Sequence, residues 1–96
     1  MKDKFLGTII ESFTMQDVNR VMLLDRDCSA DLKVGDLVRV EFSSGTSTVV
    51  KVLDAFLEEG SKFGVKAEKI ASIAVNNVGF PKDYGAVLDG KVFISN

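Results

Sequence analysis

Apolar residues recur at every second position over much of this chain, and few stretches carry the three-to-four spacing of a helix. From Phe5 to Met15 the odd positions hold Phe5, Gly7, Ile9, Glu11, Phe13 and Met15, while Thr8, Ser12 and Thr14 fall between them. That is a strand pattern, with Gly7 a place for bending or close backbone approach. Gln16-Asp17-Val18-Asn19 reads as a turn, Arg20 to Leu24 as a short strand compatible with burial on both faces, and Asp25 to Asp31 as a polar, acidic loop.

Asp31-Leu32-Lys33-Val34-Gly35-Asp36 then leads into a strand in which Val38, Val40 and Phe42 share one face and Arg39 and Glu41 the other. Ser43-Ser44-Gly45-Thr46 turns the chain into a run from Thr48 to Leu57, β-branched at first and broken only by Lys51 and Asp54. Glu58-Glu59-Gly60-Ser61 predicts the next turn. Phe63, Val65 and Ala67 alternate with Lys62, Lys66 and Glu68, the cleanest period of two in the chain. Ala67 to Val75 has the propensity of a helix. Ala71, Ile73 and Val75 also fit one face of a strand that Asn76-Asn77 would end, so strand is preferred and helix stays open. Gly79 to Gly85 reads as a loop. Two short strands around Val87-Leu88 and Val92-Phe93-Ile94 follow, joined by an Asp-Gly turn.

Six or seven short strands, with glycines at 7, 35, 45, 60, 64, 79, 85 and 90 and no long helix, predict an all-β chain. Ninety-six residues allow one core. The expected fold is a single small closed antiparallel β-barrel over residues 1–96, since closure removes exposed edges and one small chain can hardly cover two sheets. No internal repeat is legible. With seven Phe, one Tyr and no Trp, the Phe rings are expected to supply most of the large core volume.

Charge narrows the range of partners. Twelve Lys and Arg against 14 Asp and Glu give a net charge of −2, spread without a basic arm or acidic tail, so duplex DNA is not an expected ligand. Cys28 is the only cysteine, which excludes an intramolecular disulfide. No segment approaches the ~20 apolar residues of a membrane span or has a signal-peptide core, and a cytoplasmic location without membrane attachment is expected.

Candidate chemistry is sparse. The chain has no His, hence lacks the commonest general base and the commonest zinc ligand. Gly85 to Val92 nearly spells a P-loop, but Val92 stands where Ser or Thr would hold magnesium. Asp25-Arg26-Asp27-Cys28-Ser29-Ala30-Asp31, with Asp36 beyond, imitates a calcium loop with Ala30 in place of its turn glycine and Lys33 at its ninth position. Cys28 has no His to activate it, and Ser61 and Lys62 on a strand would point to opposite faces. No catalytic residue, metal or cofactor is expected, and the chain is not expected to be an enzyme.

Two groups of residues suit binding. Phe80 and Tyr84 flank Lys82 in one loop, and aromatic faces in loops stack on unpaired bases. Arg20, Arg39 and Lys51 lie on segments expected to be neighbours and would form a basic face. A protein partner or a homo-oligomer would need an exposed apolar patch, which Leu6, Met22, Leu24 and Leu57 would supply from off the inferred inward faces.

Four segments also follow one another in a familiar order: Phe5-Leu6-Gly7-Thr8-Ile9, Leu32-Lys33-Val34-Gly35-Asp36-Leu37-Val38-Arg39-Val40, Gly60-Ser61-Lys62-Phe63-Gly64-Val65-Lys66-Ala67 and Tyr84-Gly85-Ala86-Val87-Leu88. Over roughly residues 4 to 90 the chain resembles the translation-protein β-barrel, the second domain of elongation factor Tu and its relatives. It is also similar to the C-terminal barrel of collagenase-like peptidases. The resemblance implies a non-catalytic binding module contacting RNA or a ribonucleoprotein partner. No positions match a tRNA-end pocket, so none is carried over. The alternative is a protein–protein adaptor or oligomeric subunit with no nucleic-acid role.

Overall fold

Two strands far longer than the rest shape the molecule by bending. The structure is a computed structural model and describes residues 3–16 and 19–95. Its strands are β1 (Lys4–Met15), β2 (Asn19–Leu24), β3 (Leu37–Glu41), β4 (Ser47–Glu59), β5 (Lys69–Asn76) and β6 (Lys91–Ile94). Asp17 and Val18, at the centre of the expected first turn, lie outside the described residues. Every neighbouring pair is antiparallel, and the order β1-β2-β5-β4-β3-β6 closes into a ring through β6 and β1. β1 pairs with β6 as far as Thr8 and with β2 from Ile9 onward, with a register shift at Ile9/Glu11. β4 likewise pairs with β3 as far as Lys51 and with β5 from Val52 onward, with a shift at Val52/Asp54. Each shift is a bulge that turns the strand from one side of the ring to the other.

The two halves repeat one another, which the sequence alone does not disclose. Ile9 donates to the Gly90 carbonyl at 2.8 Å and accepts from Asp89 N–H at 2.9 Å. Val52 donates to the Asp36 carbonyl and accepts from Gly35 N–H, both at 2.8 Å. Gly35 and Asp89, at equivalent places, both have left-handed backbones (φ 97° and 67°). On one side Val21↔Ala74 and Leu23↔Ser72 flank the pair Met22↔Ile73. On the other, Val38↔Ile94 and Val40↔Val92 flank Arg39↔Phe93. That register is a two-fold: it maps β1, β2 and β3 onto β4, β5 and β6, and Glu11 and Phe13 onto Asp54 and Phe56. The repeat is hidden because the second unit has longer connections. The distance along the chain between counterparts therefore drifts from Ile9/Val52 through Leu24/Val75 to Val38/Val92.

The interior is aliphatic. Leu6, Ile9, Met22, Leu24, Val38, Val40, Val52, Ile73, Val75 and Val92 are fully buried and belong to one cluster, each worth roughly 1.5–3 kcal/mol of transfer free energy. Of the phenylalanines only Phe42 is buried; Phe5, Phe13, Phe56 and Phe63 are exposed, which corrects the expectation that Phe fills the core. Leu6, Met22 and Leu24 are inside as well, so they form no external patch, and only Leu57 of that set is exposed. A further register shift at Phe5/Gly7 changes the inward phase and places Leu6 on the same side as Ile9. β2 is buried on both faces, as its apolar run suggests. Met22 and Leu24 face the interior, while Val21 and Leu23 join Ile70 in an outer cluster covered by Ile10, Val65 and Ala67.

Two elements differ from expectation. The Lys62 to Glu68 alternation is not a strand: a 3-10 turn (Gly60–Phe63) precedes Gly64 in the left-handed region, and Val65 and Ala67 pack on the outer cluster instead. Val87-Leu88 is not a strand either. Tyr84–Val87 forms a single helical turn, α1, whose cap Asp83 accepts from Gly85 N–H at 3.2 Å. Lys69–Asn76 resolves the open alternative as strand. Among the described residues no helix is long and apolar enough to cross a membrane.

Candidate functional site

Arg20 is the only charged residue on the inward phase of β2, two positions before the buried Met22, at the end of the ring. There its Nη1 donates to Ser12 Oγ at 2.9 Å and its Nε to Asn77 Oδ1 at 3.0 Å. Ser12 is itself buried and passes its own hydrogen to the Val21 carbonyl at 3.0 Å. The guanidinium lies 4.6 Å from the centroid of the Phe80 ring, and that ring meets the buried Phe42 edge-on at 5.6 Å. Burial pulls the Arg20 pKa below its ordinary value, though a guanidinium remains charged at any ordinary pH. Two donors and one ring face are thereby fixed. Nη2 has no hydrogen-bond partner among the described residues.

The connection from β5 to β6 builds the opposite wall. Gly79 starts it with φ 76°, so close to Thr48 that a Cβ there would collide with the Thr48 side chain. Thr48 Oγ1 also donates to the Val78 carbonyl at 2.8 Å. From this anchored start Phe80 turns inward onto Arg20, while Pro81, Lys82 and Tyr84 run along β1. An open cleft of about 440 Å³ results, with Ser12, Thr14 and Arg20 on one side and Pro81, Lys82 and Tyr84 on the other. Tyr84 is half-exposed, and its hydroxyl donates to the Glu11 carboxylate. That hydrogen bond pushes the Tyr84 phenol above its ordinary pKa.

Four of the six expected binding residues, Arg20, Phe80, Lys82 and Tyr84, therefore meet at one end of the ring. Phe80 and Tyr84 do not act as a matched pair around Lys82, because one packs inward and the other stays open. The basic face expected from Arg20, Arg39 and Lys51 does not form, since β2 borders β1 and β5 whereas β3 borders β4 and β6. Arg39 and Lys51 lie on the outer face of β3 and β4. There Arg39 pairs with Asp3 and, at 3.0 Å, with Glu41, and stacks 4.8 Å from the Phe93 centroid. Sequence reasoning missed Ser12, Glu11 and Asn77. The alternation gave no signal for Ser12, which shares the even phase with Thr8 and Thr14 and turns inward only because of the register shift at Ile9/Glu11.

The tempting motifs have local accounts. Asp25 accepts from Thr8 N–H at 3.0 Å, Asp27 from Ser29 N–H at 3.0 Å, and Asp36 from Lys33 N–H at 2.9 Å, while Asp31 pairs with Lys4 at 2.8 Å. Asp27 and Asp36 thus fasten backbone of their own segment, while Asp25 and Asp31 tie it to β1. Cys28 is buried, and burial together with the charges of Asp27 and Asp31 pushes its thiol up to about 11. At neutral pH it is a thiol, a poor nucleophile. Gly85 and Val87 belong to α1 and Val92 to β6, and among the described residues no long helix follows to face a phosphate. Ser61 and Lys62 sit in the 3-10 turn rather than on a strand.

No family model, curated protein or solved structure matches this chain.

Proposed function

We propose that the chain is a non-catalytic binding module of the translation-protein barrel type, and that the cleft between β1 and the Gly79–Val87 segment contacts unpaired RNA. One observation carries the reading. The two-fold that relates the halves of the ring maps Arg20 onto Ala71, so a half-buried guanidinium stands where the sister position holds a fully buried methyl. Taking a cation partly out of water costs stability that a small side chain would not cost. The fold does not require it there, as the Ala71 end demonstrates.

The chemistry around Arg20 suits a nucleotide. Nη2 and the exposed Lys82 ammonium provide cationic donors for a phosphate. The exposed Tyr84 ring gives a stacking face beside them, and such stacking is sequence-tolerant. Glu11, accepting from Tyr84, holds that ring in place and adds an acceptor for exocyclic amines. RNA rather than any other anion is taken from the resemblance to the translation-protein barrel.

The test is fluorescence anisotropy of a labelled eight-nucleotide single-stranded RNA titrated with the full chain at low and moderate salt. Binding that weakens with salt, and falls at least tenfold in Arg20→Met and in Lys82→Glu, is the expected result. Equal binding by wild type and both variants, or none at low salt, contradicts it.

A further inference from the structure

The far half of β4 has an open edge. Beyond its bulge β4 pairs with β5 alone, because β3 reaches only as far as Lys51. Ala71 on β5 donates to the Arg26 carbonyl at 3.1 Å, so its backbone groups face the β2 side. Leu57, its partner on β4, accordingly turns N–H and C=O away from β5. Ala55 and Glu59, two residues to either side, do the same. The Ala55 N–H is taken by the Asp54 carboxylate at 2.9 Å. Among the described residues the outward N–H groups of Leu57 and Glu59 meet no acceptor.

Side chains along this edge define what fits it. Phe56 and Leu57 are both half-exposed on opposite faces of the strand, so an added strand would cover one from each side. Asp54, Glu58 and Glu59, with Glu68 beside Glu59, outnumber the nearby cations Lys66 and Lys69, neither of which makes an ion pair within 4.0 Å among the described residues. Joining two copies edge to edge would bring both sets of carboxylates together, which disfavours a second copy as the occupant.

We propose that the β4 edge from Ala55 to Glu59 captures an extended basic peptide as an additional strand. Main-chain hydrogen bonds to Leu57 and Glu59 provide the hold, and the three carboxylates select lysine or arginine at flanking positions. This site is independent of the cleft, which opens along β1.

The probe is a fluorescent seven-residue peptide of alternating lysine and valine, measured against the full chain by anisotropy. Three comparisons accompany it: a peptide with glutamate in place of lysine, the lysine peptide N-methylated at alternate amides, and the Leu57→Pro variant. Proline at 57 removes an outward N–H without touching the β5 ladder. The lysine peptide should bind, and each comparison should weaken binding at least tenfold. Equal binding of the glutamate or N-methylated peptide overturns the proposal, as does unchanged binding by a folded Leu57→Pro chain. So does a wild-type dimer in sedimentation that Leu57→Pro dissociates. The N-methylated peptide keeps the test decisive even if the proline variant fails to fold.

Discussion

Arg20 and Ala71 occupy the same place in the two halves of the ring, and the two ends they define could hardly differ more. At the Ala71 end the interior closes with methyl and thiol groups, Ala71, Cys28 and Leu32 all lying in the main core. At the Arg20 end a guanidinium, a buried hydroxyl and an asparagine amide form a hydrogen-bonded cap beneath an open cleft, with Nη2 left over. Since the backbone register is shared, the difference lies in side chains and in the connection from β5 to β6. One end serves stability; the other gives up some of it for a polar surface.

The sharpest way to break this comparison is to make the dry end resemble the wet one. Ala71→Arg buries a cation with neither Ser12 nor Asn77 beside it and should cost at least about 3 kcal/mol, measured as a lowered urea midpoint or loss of the folded spectrum. The converse substitution, Arg20→Met, keeps an apolar stem on Phe80 and should change stability by less than about 1.5 kcal/mol. Comparable losses in both variants would show that the ends are not distinct. Gly79→Ala should lie between them, costing roughly 1–2 kcal/mol for a left-handed φ and a collision with Thr48. Its effect should fall on the β5–β6 connection, seen as faster amide exchange near Phe80.

Smaller effects sharpen the contrast through pH. Because the Cys28 thiol is held up to about 11, the unfolded chain ionises first as pH rises from the ordinary thiol value of 9.0. The unfolded state then binds fewer protons than the folded one, so the stability due to Cys28 is present below that value and is lost towards pH 11. Cys28→Ala should flatten that decline in urea titrations, and alkylation of Cys28 should be slow until the chain unfolds. At the other end the least effect is expected from Glu11→Gln. It should bring the Tyr84 ultraviolet titration down towards the ordinary phenol range while leaving the melting temperature almost unchanged.

Much of the fold is legible from alternation alone, because a half-buried strand writes its inward phase into the chain. Val38, Val40 and Phe42 are inside and Arg39 outside, as their spacing demands. Lys62 to Glu68 carries the same alternation yet forms no strand: the chain leaves a 3-10 turn at Phe63 and passes Gly64 before Val65 and Ala67. Period two records which residues meet an apolar surface, and here the surface is the outside of β2 and β5. Phe5, Phe13 and Phe56 mislead for a related reason, since ring size says nothing of phase. The cleft was half legible. Phe80, Lys82 and Tyr84 stand out in a loop, but their meeting with Arg20 depends on the bend of β1 at its bulge, a tertiary event that no local pattern records.

The most direct measurement is an amide and guanidinium chemical-shift map of the full chain titrated with the eight-nucleotide RNA. Shifts should gather at Ser12, Asn77, Lys82, Tyr84 and the Arg20 Nε resonance, with Cys28, Leu32 and Ala71 unmoved. Shifts centred on the Ala71 end, or on Arg39 and Lys51 with the Arg20 Nε signal unchanged, would contradict the assignment of the two ends.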